Sequence, residues 1–301
     1  MSRDTDVPTI TIDEERCRRD GVCIGLCPVR VFARGKDGLP EVAHPEECCA
    51  CGHCIALCPK GAILHDRFDR GQLSALPESE AGLAATAKTM IAGRRSIRRY
   101  RKEVPSRERL NAILDAAAYA PGSPHRRVGW TRSFVVVSGR TRMAAVRELT
   151  VDYLRRLLRL INGPLVRFAA HFDDSARAAR TVAADIAMRL DEWEEGRDSI
   201  CHDAPAAIFA HAPIASSTPQ ADCDAAMTTV LLMAHAQGLG TCWNGLMQGA
   251  AAGEHLRRFS ALAEYLGIPE GHRCYAAATV GEPAVRFVRA PRRSIEIRWL
   301  E

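Results

Sequence analysis

The chain has 301 residues, of which 47% are hydrophobic, and a formal net charge of +5, enough apolar material for about two domains with their own cores. Its first ten residues, MSRDTDVPTI, lack an apolar signal core, and no apolar run reaches the length of a membrane span, so the sequence reads as cytoplasmic. The mild positive charge permits an acidic partner such as an electron carrier without demanding one.

In chain order, TITI at 9–12 and EVA at 41–43 read as short strands, each leading into a cysteine-rich loop. RVF and AIL follow those loops. The first loop, CRRDGVCIGLCP (17–28), holds Cys17, Cys23 and Cys27. The second, CCACGHCIALCP (48–59), holds Cys48, Cys51, Cys54 and Cys58. A single offset of 31 residues lays one on the other, with Pro28 on Pro59 and Asp20 on Cys51.

The second copy is a C-x2-C-x2-C-x3-C-P run, the pattern that holds iron–sulfur clusters. Its first three cysteines wrap one cluster, and the fourth lies too far along and serves the other. The repeat therefore predicts crossed ligands: Cys48, Cys51, Cys54 and Cys27 for one cluster, and Cys17, Cys23 and Cys58, with Asp20 in the fourth place, for the other. Zinc is the competing reading, but its sites pair two C-x2-C knuckles and need no paired C-x3-C-P ends. A carboxylate grips iron less firmly than a thiolate. The Asp20 site is thus open to a 4Fe-4S cluster completed by Asp20 or water, or to a 3Fe-4S cluster. Cys49 reads as a bystander thiol, and Cys201, Cys223, Cys242 and Cys274 as buried small hydrophobes.

The cluster module is expected over residues 1–70, with a connector over 71–92 and a second domain over 93–301. In the second domain, Ser106 caps a helix carrying Leu110, Ile113, Leu114 and Ala117 on one face, stopped by Pro121-Gly122. FVVV (134–137) reads as a buried strand, and 143–195 is helical in pattern. AAIFAHA (206–212) is a strand, and 221–237 an apolar helix closed by Gly238. CYAAATV (274–280) and IEIRWL (295–300) read as strands. Long helices between isolated strands give an α+β domain. Leu154, Leu157, Leu158 and Ile161 oppose Arg155, Arg156 and Arg159; the apolar face is expected to pack on a dimer partner rather than on a membrane.

The stretch GRRSIRRY (93–100) surrounds Ser96 with four arginines, whose forked guanidinium groups match phosphate oxygens. Together with AAAYAPGSPHRR, GLGTCWNGL and LGIPEGHRCYAAATVGEPAVRFVRAPRR it resembles the nitroreductase family of FMN flavoproteins. With the N-terminal repeat, the whole chain resembles a ferredoxin–nitroreductase fusion.

The resemblance implies a small ferredoxin-like two-cluster domain followed by an α+β FMN domain, its antiparallel-rich central sheet flanked by helices. It assigns Arg94, Arg95, Ser96 and Arg98 to the FMN phosphate and pyrimidine edge. Arg292 or Arg293 completes the phosphate site, and the backbone of Thr241, Cys242, Trp243, Asn244 and Gly245 faces flavin N5 and O4. Ser123, His125 and Arg127 stand near the positions of the family's ring-contacting loop, where this chain departs from the usual Asn and Arg-Gln-Pro. The resemblance further implies a homodimer with FMN at the interface, the C-terminal strand crossing to the partner.

It also implies single-electron delivery from an external donor, reduced ferredoxin or a similar carrier, through two clusters to FMN. From there a small organic substrate (nitro compound, enone or quinone) is reduced by hydride transfer. No Gly-x-Gly-x-x-Gly follows a strand, so there is no Rossmann site; the resemblance leaves NAD(P)H open as donor, because nitroreductases bind nicotinamide over the flavin without one. Two other readings compete: an electron-transfer module serving a protein partner, and a nucleic-acid-binding sensor, for which no motif is visible.

Overall fold

The computed structural model describes residues 7–73, 76, 81–123, 132–253, 261–292 and 294–300. The elements fall into two compact units, one ending at Ala81 and the other beginning at Gly82.

The first unit is built twice over. Strand β1 (Ile10–Ile12) precedes the first cysteine loop and its one-turn helix α1 (Val22–Leu26), followed by β2 (Phe32–Arg34). Strand β3 (Pro40–Val42) precedes the second loop with α2 (His53–Leu57), followed by β4 (Ile63–His65). The 31-residue offset carries α1 onto α2 and β2 onto β4. Pairing is crossed in space: β1 joins β4 with Ile10 opposite His65, and β2 joins β3 with Phe32 opposite Val42. Ile10, Val31, Phe32, Ile55 and Ile63 form the core, with the cysteine loops packed around it. Each one-turn helix starts from a left-handed glycine, Gly21 at φ 71° and Gly52 at φ 76°. At Gly52 a side chain would also meet the Phe68 ring at 3.1 Å, so both backbone and space call for glycine.

The second unit opens with α3 (Leu83–Gly93), in the stretch expected to be a connector, and α4 (Arg107–Asp115), capped by the Ser106 hydroxyl accepting from Arg109 N–H at 3.4 Å. Strand β5 (Ser133–Ser138) leads into α5 (Arg140–Ile161), α6 (Pro164–Ala169) and α7 (Asp174–Glu194). Then come β6 (Ala206–Pro213), α8 (Pro219–Ala236), β7 (Gly240–Trp243), α9 (Gly245–Ala252), α10 (Ala261–Tyr265) and β8 (His272–Gly281). The sheet order is β5-β6-β8-β7, antiparallel at every pairing.

Period-two alternation divides the central strands between two cores. Ala207, Phe209 and Ala277 face α5, α7 and α9, while Ala206, Ile208, Ala276 and Ala278 face α4 and α8. Alanine on both faces lets helices approach from each side. Phe209, fully buried at the centre, contributes about 1.5–3 kcal/mol by leaving water.

Two expectations need correction. Leu154, Leu157 and Ile161 are buried in the chain's own core against α7 and α9, so this apolar face needs neither a dimer partner nor a membrane. Residues 294–300 form no strand within one chain. Having no pairing there, Ile295, Ile297, Trp299 and Leu300 stay 61–82% exposed.

Candidate functional site

In the first unit two cavities lie among the cysteines. One is lined by Cys17, Asp20, Cys23 and Cys58, with Cys54 also at its wall. The other is lined by Cys27, Cys48, Cys51 and Cys54. Each cavity thus draws three residues from one loop and the last cysteine of the other. All seven of these cysteines are unpaired thiols.

Backbone donors point at their sulfurs. Val31 N–H donates to Cys27 Sγ and Ala62 N–H to Cys58 Sγ, both at 3.2 Å, and Ala50 N–H donates to Cys48 Sγ at 3.4 Å. His65 Nε2 lies 3.4 Å from the same Cys48 Sγ. Burial, then the neighbouring Cys48 and Cys51, pushes the Cys54 thiol up to about 12. Crowded sulfurs aimed at by N–H groups suit a positively charged inorganic core, whose binding displaces the thiol protons. Asp20 is exposed, its Oδ1 accepting from Val22 N–H at 3.3 Å. Cys49 is buried and raised to about 11, chiefly by that burial.

In the second unit, residues 94–101 continue the sheet beyond β7. Ser96 bridges Thr241 in parallel, with Ile97 N–H donating to Thr241 O at 2.9 Å. The segment then turns so that Arg101 N–H reaches Glu282 O at 2.8 Å and Ala284 N–H reaches Arg99 O at 2.9 Å. Ile97 is the buried anchor, and it fits only because Gly240 has no side chain: a Cβ there would meet Ile97 at 2.8 Å.

Beside this seam lies an open groove of about 670 Å³, lined by Arg94, Arg95, Arg101, Thr241, Arg286 and their neighbours. That volume is within the range of small-molecule and cofactor sites. Arg95 donates to the carbonyl oxygens of Arg94 at 3.0 Å and Pro291 at 3.4 Å, while its Nε is buried without a partner. A buried guanidinium N–H with nothing to donate to fits a site awaiting an anionic acceptor.

The other expected residues are placed as follows. Ser96 is half-buried, Arg98 and Arg292 are exposed, and Ser123 is exposed at the end of its described segment. His125, Arg127 and Arg293 lie outside the described residues. Thr241 and Cys242 are buried on β7, so Cys242 can offer a ligand only its backbone. Trp243 is half-buried against the core, and Gly245 opens α9. The Asn244 side chain is committed: Oδ1 caps α9 by accepting from Met247 N–H at 2.9 Å, and Nδ2 donates to Ile200 O at 2.6 Å. It too keeps only its backbone for a ligand.

Several residues that shape this region carry no sequence motif. Tyr100 and Thr279 share a hydrogen bond at 2.8 Å, and Thr279 donates to Cys242 O at 3.4 Å, so a buried hydroxyl pair holds β7 from behind. Burial pushes the Tyr100 phenol well up, keeping it neutral. Asp198 accepts from Ile200, Cys201 and Asp203 N–H at 2.7–3.0 Å and pairs with Arg147. It thereby holds His202 and Asp203 in left-handed conformations. The only hint in sequence was an aspartate placed to accept from the backbone two and three residues on.

Residues 91–282 match the model of the nitroreductase family, and residues 9–59 match a 4Fe-4S dicluster domain. The two matches define the class, an iron–sulfur flavoprotein oxidoreductase. The chain belongs to the nitroreductase family, with the dicluster domain placed ahead of the nitroreductase domain. Among solved structures it is similar to a nitroreductase with bound FMN from Desulfitobacterium hafniense DCB-2, at 23% identity and a TM-score of 0.50, covering 71% of this chain and 97% of that one. It is also similar to an FMN-dependent nitroreductase from Clostridium difficile R20291, at 18% identity and a TM-score of 0.51, covering 72% of this chain and all of that one. At these identities the likeness carries the fold.

Proposed function

We propose that this chain accepts single electrons from an external carrier such as reduced ferredoxin, passes them through two iron–sulfur clusters to FMN, and reduces a small organic substrate. The observation that carries the FMN part is the buried, unpartnered Arg95 Nε beside a groove shared by Arg94 and Thr241. The two cysteine-lined cavities support the cluster part.

Arg94, Arg95, Ser96 and Arg98, with Arg292 or Arg293, would hold the phosphate of FMN. The backbone from Thr241 to Gly245 would face its ring system, and Ser123, His125 and Arg127 would approach from the family's ring-contacting loop. Cys48, Cys51, Cys54 and Cys27 would hold one cluster; Cys17, Cys23 and Cys58, with Asp20 or water, would hold the other. FMN supplies what the clusters cannot, because it takes electrons one at a time and releases them as a pair, whereas clusters pass single electrons.

Around the groove, Tyr100 and Thr279 would fix the Cys242 carbonyl, and Asn244 would fix the turn into α9. A homodimer fits the exposed apolar tail, where Val288, Ile295, Trp299 and Leu300 need cover. Cytoplasmic residence would keep the seven cluster thiols reduced.

The test is anaerobic. Protein loaded with FMN and iron is reduced with dithionite, and reoxidation of the flavin is followed against nitro compounds, enones and quinones. Rapid reoxidation by one class names the substrate chemistry. Slow reoxidation by all of them, with fast transfer to a redox protein, would favour the electron-transfer module. Rapid flavin reduction by NADH in protein stripped of both clusters would count against the ferredoxin route.

A further inference from the structure

Resting on the iron–sulfur reading above, we propose that His65 tunes one of the two clusters. Its Nε2–H donates to the Cys48 sulfur and raises the reduction potential of the cluster held by Cys27, Cys48, Cys51 and Cys54.

His65 ends β4, and its side chain is 1% exposed. Arg67 N–H donates to Nδ1 at 3.1 Å, Phe68 packs edge-on at 5.2 Å, and Nε2 faces Cys48 Sγ at 3.4 Å. A ring nitrogen that accepts an N–H carries no proton, so the single proton of the neutral ring sits on Nε2. Asp66 Oδ1 also lies 3.4 Å from Nδ1. A proton at Nδ1 would satisfy that carboxylate, but it would oppose Arg67 N–H and turn the Nε2 lone pair onto a thiolate. Two contacts therefore select the tautomer that donates to sulfur.

Reduction adds negative charge to a cluster, and donors on its thiolates stabilise that charge. Cys48 receives two such donors, the imidazole and Ala50 N–H. The repeat supplies an internal control. The 31-residue offset puts Cys17 in place of Cys48 and Arg34 in place of His65. Arg34 turns instead to Gly21, its Nη2 2.9 Å from where a side chain there would begin. Among the described residues Cys17 Sγ receives no donor. The imidazole therefore falls on one cluster only, the one without Asp20 among its expected ligands.

The experiment is a redox titration of the intact chain followed by EPR, after iron analysis of each sample. His65→Leu is expected to lower one of the two midpoints by about tenfold in its reduction equilibrium, or about 59 mV for one electron, and to leave the other unmoved. His65→Gln, which keeps an N–H donor, is expected to recover part of the shift. Wild-type protein labelled with ¹⁵N-histidine is expected to show nitrogen hyperfine coupling at one reduced cluster, a readout that needs no variant. Fully loaded His65→Leu with both midpoints unchanged overturns the proposal. So does the absence of ¹⁵N coupling, which decides the matter if the variant fails to load. Wild-type protein that binds no iron would overturn the iron–sulfur reading itself.

Discussion

The guanidinium of Arg95 donates to the carbonyl oxygen of Pro291 at 3.4 Å, joining two segments 196 residues apart in sequence. The contact brings the arginine run after α3 next to the chain segment that carries Arg292. A phosphate held by both ends of the domain, as proposed above, would meet a side chain already fixed at one edge and still carrying an unpartnered buried Nε. Hydrogen bonds to charged groups contribute about 1.5–3 kcal/mol. Arg95→Ala is therefore expected to weaken FMN binding roughly 10- to 100-fold, read by fluorescence quenching as apoprotein is titrated with FMN. Arg95→Lys should recover only part of this, because an ammonium is a point charge without the fork. Iron content should not change. Equal affinity in the alanine variant would remove Arg95 from the phosphate site.

Gly240 makes a sharper steric test. A Cβ at this position would stand 2.8–3.0 Å from three atoms of Ile97, which is buried and has nowhere to turn. Gly240→Ala is expected to push residues 94–98 off β7 and break the Ile97–Thr241 hydrogen bond. FMN affinity should fall at least as far as in Arg95→Ala, and thermal stability by about 1–3 kcal/mol, the usual cost of overpacking. Ile97→Ala in the same background removes the two γ carbons that the new Cβ would meet and should restore part of the FMN affinity. Unchanged FMN affinity in Gly240→Ala would mean that this seam does not shape the groove.

How much of this was legible in the sequence depends on the length scale of the interaction. The two cavities, each lined from both cysteine loops, agree with the crossing that the 31-residue repeat predicts, because ligand spacing is local. The strands at 134–137, 206–212 and 274–280 were legible as short apolar runs, and Ser106 as a cap. What pattern could not give were partners far apart in the chain: Tyr100 with Thr279, Asn244 with Ile200 O, Arg95 with Pro291 O. Each depends on sheet register, which the composition of single strands does not encode. Residues 295–300 form no strand within one chain for a related reason, since alternation in IEIRWL signals a strand but a strand also needs an edge to join. The apolar face of α5 was correctly located and wrongly partnered, because amphipathicity shows that a face is covered without showing by what.

The histidines at the far end of the sheet give a pH dependence. His211 Nδ1 and His272 Nδ1 lie 3.0 Å apart at a β-bulge, with His211 buried. Burial lowers both, and the adjacent His272 lowers His211 further. Because the folded state binds these protons less tightly than the unfolded chain, their contribution is fully present above about pH 6.5 and is lost as pH falls through and below it. Melting temperature should therefore drop between pH 7 and pH 5. In the double variant His211→Leu, His272→Leu the drop should be shallower. Parallel curves for the two proteins would show that the pair does not titrate with unfolding.

Asp20 is the one expected ligand position at which the two cluster-binding loops differ. Its counterpart is Cys51, and the two loops have nearly the same backbone: Arg19 and Ala50 are left-handed at φ 58° and 51°, Gly21 and Gly52 at 71° and 76°. A cysteine therefore fits position 20 without strain, since the second copy already holds one there. Asp20→Cys loses only an exposed hydrogen bond from Val22 N–H, so its fold should be kept. The variant is expected to assemble two ordinary 4Fe-4S clusters, with about eight irons per chain and none lost on brief exposure to air. Wild-type protein should carry one cluster that releases iron under the same exposure or has a distinct EPR signal, because a carboxylate or water holds the fourth iron less firmly than sulfur. Asp20→Ala separates direct ligation from a solvent-held corner: if the carboxylate binds iron, the alanine variant loses iron faster than wild type, and if water occupies the corner, the two lose it alike. Identical iron content and EPR signals in wild type and Asp20→Cys would place Asp20 away from the cluster altogether.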